Sequence, residues 1–230
     1  MTGISPLWNN VLFCTITFIY VFSLVALMDF LVKRYGLPQD ISRKITHIGA
    51  GTLIIFIPFF DDGHWTKYLN VGIYVLWIVL LTLKGLTAGP DDEAVRTMTR
   101  TGNPHELLKG PLFFVIVGTI CGTFFYKSFE GVVAMAVLGW GDGVAPLIGS
   151  RYGKMKYAIL SPKSIEGSLS VFLFGFGAAL FFVWWIIPTD FNLIRICFIT
   201  LIATIAEAVS PKEVDNFLIP GAVILASQFI

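Results

Sequence analysis

The feature that most constrains this chain is its succession of long apolar segments separated by short polar loops. A helix needs about 20 mostly apolar residues to cross a bilayer core. Eight stretches approach or reach that length: residues 7–31, 45–60, 68–86, 111–126, 131–148, 167–187, 191–209 and 217–230. The second, fourth and eighth are short, and are expected to be tilted, partly re-entrant or extended by polar turns, with seven spans as the lower count. Composition points the same way. Only 13% of the 230 residues are charged, against about 25% in a soluble domain, so there is too little polar surface to cover a body in water. The expected fold is all-α, a polytopic membrane helical bundle of about 7–8 transmembrane helices forming a single domain over residues 1–230.

A net charge of +1 says nothing about partners, and no basic run suggests a nucleic-acid partner. The cysteines Cys14, Cys121 and Cys197 lie inside apolar runs, away from metal-ligand spacing, and are expected to pack. Residues 1–10 carry no Arg- or Ser-rich transit peptide, so the first apolar segment is expected to be a retained span. Positive charge alternates between loops. The odd-numbered ones carry Lys33, Arg34, Arg43 and Lys44, then Arg96, Arg100 and Lys109, then Arg151, Lys154, Lys156 and Lys163, then Lys212. The others hold Lys67 and Lys127. Positive loops mark the cytoplasmic or equivalent side, which puts the N-terminus on the opposite side.

Polar groups in the spans are costly and therefore informative. Asp142 lies about 11 residues into the fifth segment, roughly 17 Å down a core about 30 Å thick and toward its inner side. Glu207 falls near the inner end of the seventh segment, and His47 in the first turn of the second. Three helices are thus expected to bring polar groups to one inner face, a site open to the cytoplasmic phase.

The stretch Gly139-Trp140-Gly141-Asp142-Gly143 sets a carboxylate among glycines. A carboxylate suits Mg²⁺ held together with substrate phosphates; small-residue packing explains the glycines but not the acid. Downstream, Gly149-Ser150-Arg151-Tyr152-Gly153-Lys154 and Ser161-Pro162-Lys163-Ser164-Ile165-Glu166-Gly167-Ser168 form a cationic loop opening into a helix. Ammonium groups and N-terminal N–H groups bind phosphates, although cations here are also what topology alone demands. The loop has no Walker pattern. Arg43, Lys44 and His47 share one face of a helix start, with membrane anchoring as the plain alternative. Glu106-Leu107-Leu108-Lys109-Gly110-Pro111 reads equally well as an ordinary helix start. Asp215-Asn216 followed by Pro220-Gly221 suggests a broken helix.

Taken in order, Arg-Lys-x-x-His, Glu-Leu-Leu-Lys-Gly-Pro-Leu-Phe, Gly-Asp-Gly-x-Ala, Pro-x-Lys-Ser-x-x-Gly-Ser and a late Glu…Asp-Asn…Pro resemble the phytol and farnesol kinase group, related to dolichol kinases and CTP-dependent diacylglycerol kinases. The resemblance covers residues 41–220. It implies a multi-pass enzyme that moves the γ-phosphate of CTP onto the hydroxyl of a long isoprenoid alcohol such as phytol, farnesol, geranylgeraniol or a polyprenol. It implies Mg²⁺ and triphosphate at Asp142, phosphate contacts from Lys163, Arg151 and Lys154, and a nucleotide site completed by Ser164, Glu166, Asp215 and Asn216. Arg43, Lys44 and Lys109 belong to the same candidate set, and Glu207 or His47 would orient or deprotonate the alcohol. The Ser-Pro-Lys-x-x-x-Glu-Gly text also resembles phosphatidate cytidylyltransferases. Those end in a second acidic cluster, which is missing after Asp215. A transporter is the reading from a different class, and no internal repeat of the paired kind supports it.

The loop charges generate a topology prediction. Cysteines placed by Lys156→Cys and Arg100→Cys should react with an impermeant reagent from one side of the membrane only, and one placed by Asp62→Cys from the other side only. Labelling of positions 156 and 62 from the same side would refute the arrangement.

Overall fold

The computed structural model describes residues 5–230. Helices dominate: α1 (Pro6–Tyr35), α2 (Gln39–Gly51), α3 (Gly72–Thr87), α4 (Glu93–Met98), α5 (Gly110–Phe124), α6 (Phe129–Ala136), α7 (Gly143–Tyr152), α8 (Ile165–Ile186), α9 (Leu193–Val209) and α10 (Asp215–Ala226). Among the described residues, five helical segments are long and apolar enough to cross a membrane: Pro6–Tyr35, Trp65–Thr87, Pro104–Phe124, Phe129–Tyr152 and Ile165–Ile186. They coincide with the first, third, fourth, fifth and sixth expected spans. The protein is a helical membrane bundle.

The remaining expected spans differ in form. The second is the end of α2 followed by a 3₁₀ stretch, Thr52–Phe59, containing Pro58. The seventh is α9, whose 17 residues cover about 26 Å. The eighth is α10, with 12 residues. The fourth, expected to be short, gains a 3₁₀ turn at Pro104–Leu108 and reaches 21 residues. A small β-hairpin, β1 (Lys156–Ala158) with β2 (Pro162–Ser164), interrupts the otherwise helical chain.

Two compact units are distinguished, residues 1–46 with 53–124, and residues 47–52 with 125–230. In the first unit α1 starts with Pro6 at its first position and stops at Gly36, whose φ of 66° suits glycine in a left-handed cap. Polar brackets hold it at both ends. The fully buried Asn10 donates to Thr66 Oγ1 (2.9 Å) and to the Asp61 carbonyl (3.1 Å), and accepts from the Asp61 N–H (2.7 Å). Near its other end Asp29 pairs with Lys33 (2.7 Å) and with Arg96 Nε (2.8 Å) of α4. Lys84 of α3 meets Asp92 (2.9 Å), which also caps α4. These pairs clamp the six-residue α4 between α1 and α3.

The second unit is built around Phe129–Tyr152, the most enclosed of the long segments. It is not a plain α-helix: Val137–Asp142 winds as a π-helix between α6 and α7. α8 packs along this segment and along α9, while α10 packs on α9 and α6. Val133, Val137, Leu138, Val171, Ala179, Val183, Ile196, Ile199, Ile219 and Val223 form its fully buried core. Glycines set the closest contacts. A Cβ on Gly51 would lie 2.5 Å from the Cα of Gly139, and one on Gly141 would lie 2.9 Å from the Val171 carbonyl. The stretch 47–52 therefore rests backbone to backbone on the π segment.

Two expectations are corrected here. His47 is not in a first turn, because α2 begins at Gln39, ahead of the apolar run. The helix beyond Asp215 is not broken: α10 continues through Pro220 and Gly221. Proline's ring is tolerated within a membrane helix, where neighbouring helices re-satisfy freed backbone groups. The chain reverses before α10 instead, at Glu213, which adopts φ of 73°.

Gly139→Ala should lower thermal stability, because overpacking costs about 1–3 kcal/mol and backbone leaves no atom free to move aside. Gly177→Ala places its new methyl on α8 where nothing lies within 4 Å, and should melt like the wild type. Equal melting temperatures for the two variants in detergent would show that the Gly51–Gly139 contact is not tight.

Candidate active site

Asp142 closes the π-helical stretch and is buried. His47 of α2 faces it, with Nε2 3.4 Å from Asp142 Oδ2. The same nitrogen lies 2.9 Å from the carbonyl of Leu138. A carbonyl only accepts, so Nε2 carries the hydrogen and donates to it. His47 is thereby anchored to the π segment that carries Asp142, and π segments in α-helices are frequent at functional positions.

A second polar cluster gathers where the hairpin meets α8 and α9. Lys163, on β2, donates from Nζ to the carboxylate of Glu207, to the Glu207 carbonyl and to Ser210 Oγ (2.9 Å). Only 12% of the Lys163 side chain and 8% of the Glu207 side chain are exposed, so the pair is a desolvated one. Glu207 also accepts a long hydrogen bond from Ser168 Oγ (3.5 Å), and Ser168 Oγ is 2.5 Å from the Tyr157 hydroxyl. Ser161 Oγ donates to the Ser210 carbonyl (2.8 Å), fixing the turn of the hairpin to the end of α9. Strand alternation explains why these side chains converge: Tyr157 and Lys163 are register partners and point to one face.

The loop glycines have a steric reason. Ser164 caps α8 by accepting from the Gly167 N–H (3.1 Å). A Cβ on Gly149, Gly153 or Gly167 would lie 3.1, 2.6 or 3.1 Å from that same hydroxyl oxygen. The Glu166 carboxylate accepts from the backbone N–H groups of Lys154 (3.0 Å) and Met155 (3.2 Å), which folds the loop back onto the helix start. Arg151 and Lys154 remain exposed. Asp215 accepts from the N–H and the side-chain amide of Asn216 (3.0 and 3.2 Å), and Asn216 is buried.

α8 serves as a ruler for the second unit. Glu207 is level with Ser168, whereas Gly141, beside Asp142, packs at Val171 and Gly175. Val171 and Gly175 lie three and seven residues beyond Ser168, so the His47–Asp142 pair sits about 4.5–10.5 Å farther along α8 than the Lys163–Glu207 pair. Arg43, Lys44 and Lys109 belong to the first unit, with Lys44 buried and Lys109 exposed. Tyr157, Ser210 and the partnership of Ser168 with Glu207 carry no sequence signal. Tyr157 lies on a hairpin too short to show periodicity, and Ser168 meets Glu207 only because α8 packs on α9.

Comparison with known proteins supplies what geometry alone does not. No family model matches the chain, and no solved structure matches it. Among curated proteins, it is 32% identical over 219 residues to the probable phytol kinase 1, chloroplastic, of Glycine max, covering 90% of this chain and 72% of that one. It is 30% identical over 217 residues to phytol kinase 1, chloroplastic, of Arabidopsis thaliana, covering 90% and 71%. It is 32% identical over 220 residues to the probable phytol kinase 1, chloroplastic, of Oryza sativa subsp. japonica, covering 91% and 70%. The chain belongs to the phytol kinase family.

For this family member the two clusters differ in what they offer. Lys163 has three donors, and all three are engaged within the protein. The contact of Asp142 with His47 is longer, at the outer limit of hydrogen bonding. Among the described residues no three His, Cys, Asp or Glu side chains come together as a ligand set for a metal ion, so those residues build no metal cage. A single buried carboxylate nonetheless fits Mg²⁺, which keeps several waters and shares the oxygens of a phosphorylated substrate.

Removing the cation of the buried pair should be costly. Lys163→Met leaves the Glu207 carboxylate desolvated and is expected to destabilise the protein by about 3–5 kcal/mol. Adding Glu207→Gln should recover much of that loss. Thermal unfolding of the single and double variants checks this, and a double variant as unstable as Lys163→Met alone would contradict it.

Proposed function

We propose that the protein is a membrane kinase that transfers the γ-phosphate of a nucleoside triphosphate, CTP, to the hydroxyl of an isoprenoid alcohol. Phytol is the first acceptor to test, with farnesol, geranylgeraniol and polyprenols in the same class. The observation that carries this reading is the 30–32% identity, over about nine-tenths of the chain, to proteins named phytol kinase. The clusters of the second unit are chemically consistent with it. Phosphoryl transfer asks mainly for positioning and charge neutralisation, and a buried acid, a buried ammonium and an exposed cationic loop are what such a reaction uses.

In this proposal Asp142 would hold Mg²⁺, which when bound would supply charge neutralisation for phosphate oxygens. His47, tied to the Leu138 carbonyl, positions the Asp142 carboxylate. Arg151 and Lys154, exposed on the loop, meet the outer phosphates, while Ser164 and Glu166 hold that loop in shape. Lys163 meets the transferring group. The alcohol O–H gives its proton to Glu207 while its oxygen bonds to the γ-phosphorus, and the bridging oxygen leaves with CDP. Asp215 and Asn216 complete the nucleotide contacts. The site faces the positively charged side of the membrane, and the isoprenoid tail stays in the bilayer.

Two labelled nucleotides test the assignment. With γ-labelled CTP and phytol the label should appear in a lipid monophosphate, and with α-labelled CTP no lipid should be labelled. An α-labelled lipid with release of pyrophosphate would make the protein a cytidylyltransferase instead. Transfer of neither label would remove the kinase reading. Asp142→Asn should fold and insert normally yet lose on the order of 10²-fold or more in rate; near-normal turnover would reduce Asp142 to a packing role.

A further inference from the structure

We infer that Ser168 and Tyr157 are positioning residues for the Glu207 carboxylate, acting as a hydroxyl relay that holds it when Lys163 turns to a phosphate. The inference rests on the kinase reading above and deepens it.

The direction of the relay follows from counting hydrogens. A carboxylate only accepts, so Ser168, which has one hydroxyl hydrogen, spends it on Glu207 Oε2. Ser168 Oγ must then accept from its other neighbour. The Tyr157 hydroxyl, at 2.5 Å, is the donor. Tyrosine donating to serine, and serine to Glu207, is the order in which every hydrogen has a place.

Lys163 explains why such a relay matters. Its three N–H donors go to the Glu207 carboxylate, the Glu207 carbonyl and Ser210. A phosphoryl group can be met by Lys163 only if one of these is released, and an anionic phosphate competes most directly with the other anion, the carboxylate. Once Lys163 leaves Glu207 Oε1, that oxygen can take a proton from the alcohol. The other oxygen, Oε2, stays tied to Ser168. With Ser168 on Oε2, the carboxylate keeps a fixed contact on one oxygen while the other exchanges partners. Ser168 lies in the first turn of α8 and Tyr157 on β1, register partner of Lys163. The relay and the ammonium therefore reach Glu207 from two different elements.

The test uses the full-length protein in lipid nanodiscs with CTP and phytol, comparing Ser168→Ala, Ser168→Thr and Tyr157→Phe. Ser168→Ala is expected to lower kcat by about 10-fold or more, less than the 10²–10⁴-fold attributed to a general base itself, with KM for CTP changed less than about 2-fold. Tyr157→Phe, which keeps the ring and removes only the hydroxyl, should move kcat the same way by a smaller factor. Ser168→Thr, which keeps the hydroxyl, should restore most of the rate. Unchanged kcat in Ser168→Ala, with the wild type active, overturns the relay but leaves the kinase reading in place. So does a loss shared equally by melting temperature and CTP affinity, or a Ser168→Thr variant as slow as Ser168→Ala. A wild type that transfers no γ-label fails at the kinase reading and takes this inference with it.

Discussion

In a bilayer a polar group has to find its partner inside the protein, because the hydrocarbon core offers no water to replace a missing hydrogen bond. Much of this architecture follows from that requirement. Asn10, wholly buried, is satisfied by Thr66 and both backbone groups of Asp61. Asp29 is neutralised by two cations, one from its own helix and one from α4. Lys163 and Glu207 satisfy each other and draw Ser210 and Ser168 into the same network. Each bracket also joins elements, so the cost of leaving these groups unpaired organises the helices around them.

The close glycine contacts are the second organising device. Within the second unit the backbone of Gly51 meets that of Gly139, and Gly141 meets α8 at Val171 and Gly175. Helices in lipid gain little from hydrophobic exclusion, so association rests on close packing and hydrogen bonds. Here the packing brings α2 near enough for His47 to reach a carbonyl of the π segment. The glycines around Asp142 are thus explained by contact, whereas contact does not account for the acid among them. Around Ser164 the same logic holds: Gly149, Gly153 and Gly167 leave room for one capping hydroxyl, and the ordered motif there is in large part the geometry of a helix start.

Pairing changes what the motif residues can do. A lysine in a cationic loop and a glutamate near the end of a span read, separately, as a phosphate contact and a base. Together and desolvated they hold each other, and in the proposed reaction either would become reactive only when a ligand exchanges with the partner. Such a coupling would tie release of the carboxylate to arrival of the phosphate in the proposed transfer.

Apolar length and loop charge were sufficient to read a helical membrane bundle, and the ordered motifs from Arg43 to Pro220 were sufficient to read the family, because hydrophobic run length and residue order are properties of the chain itself. The same text read His47, Asp142 and Glu207 as converging on one inner face, with His47 in a first turn that the structure moves to the C-terminal half of α2. It was silent where several elements meet. It did not show Asp29 with Arg96, the π-helical winding before Gly143, the unbroken course of α10 through Pro220, or the hairpin that turns Tyr157 and Lys163 toward Glu207. Periodicity and spacing report neighbours along one helix, about 5 Å apart at three or four residues. Contacts such as Lys163 with Glu207, 44 positions apart, depend on which helix faces which, and only the folded packing decides that.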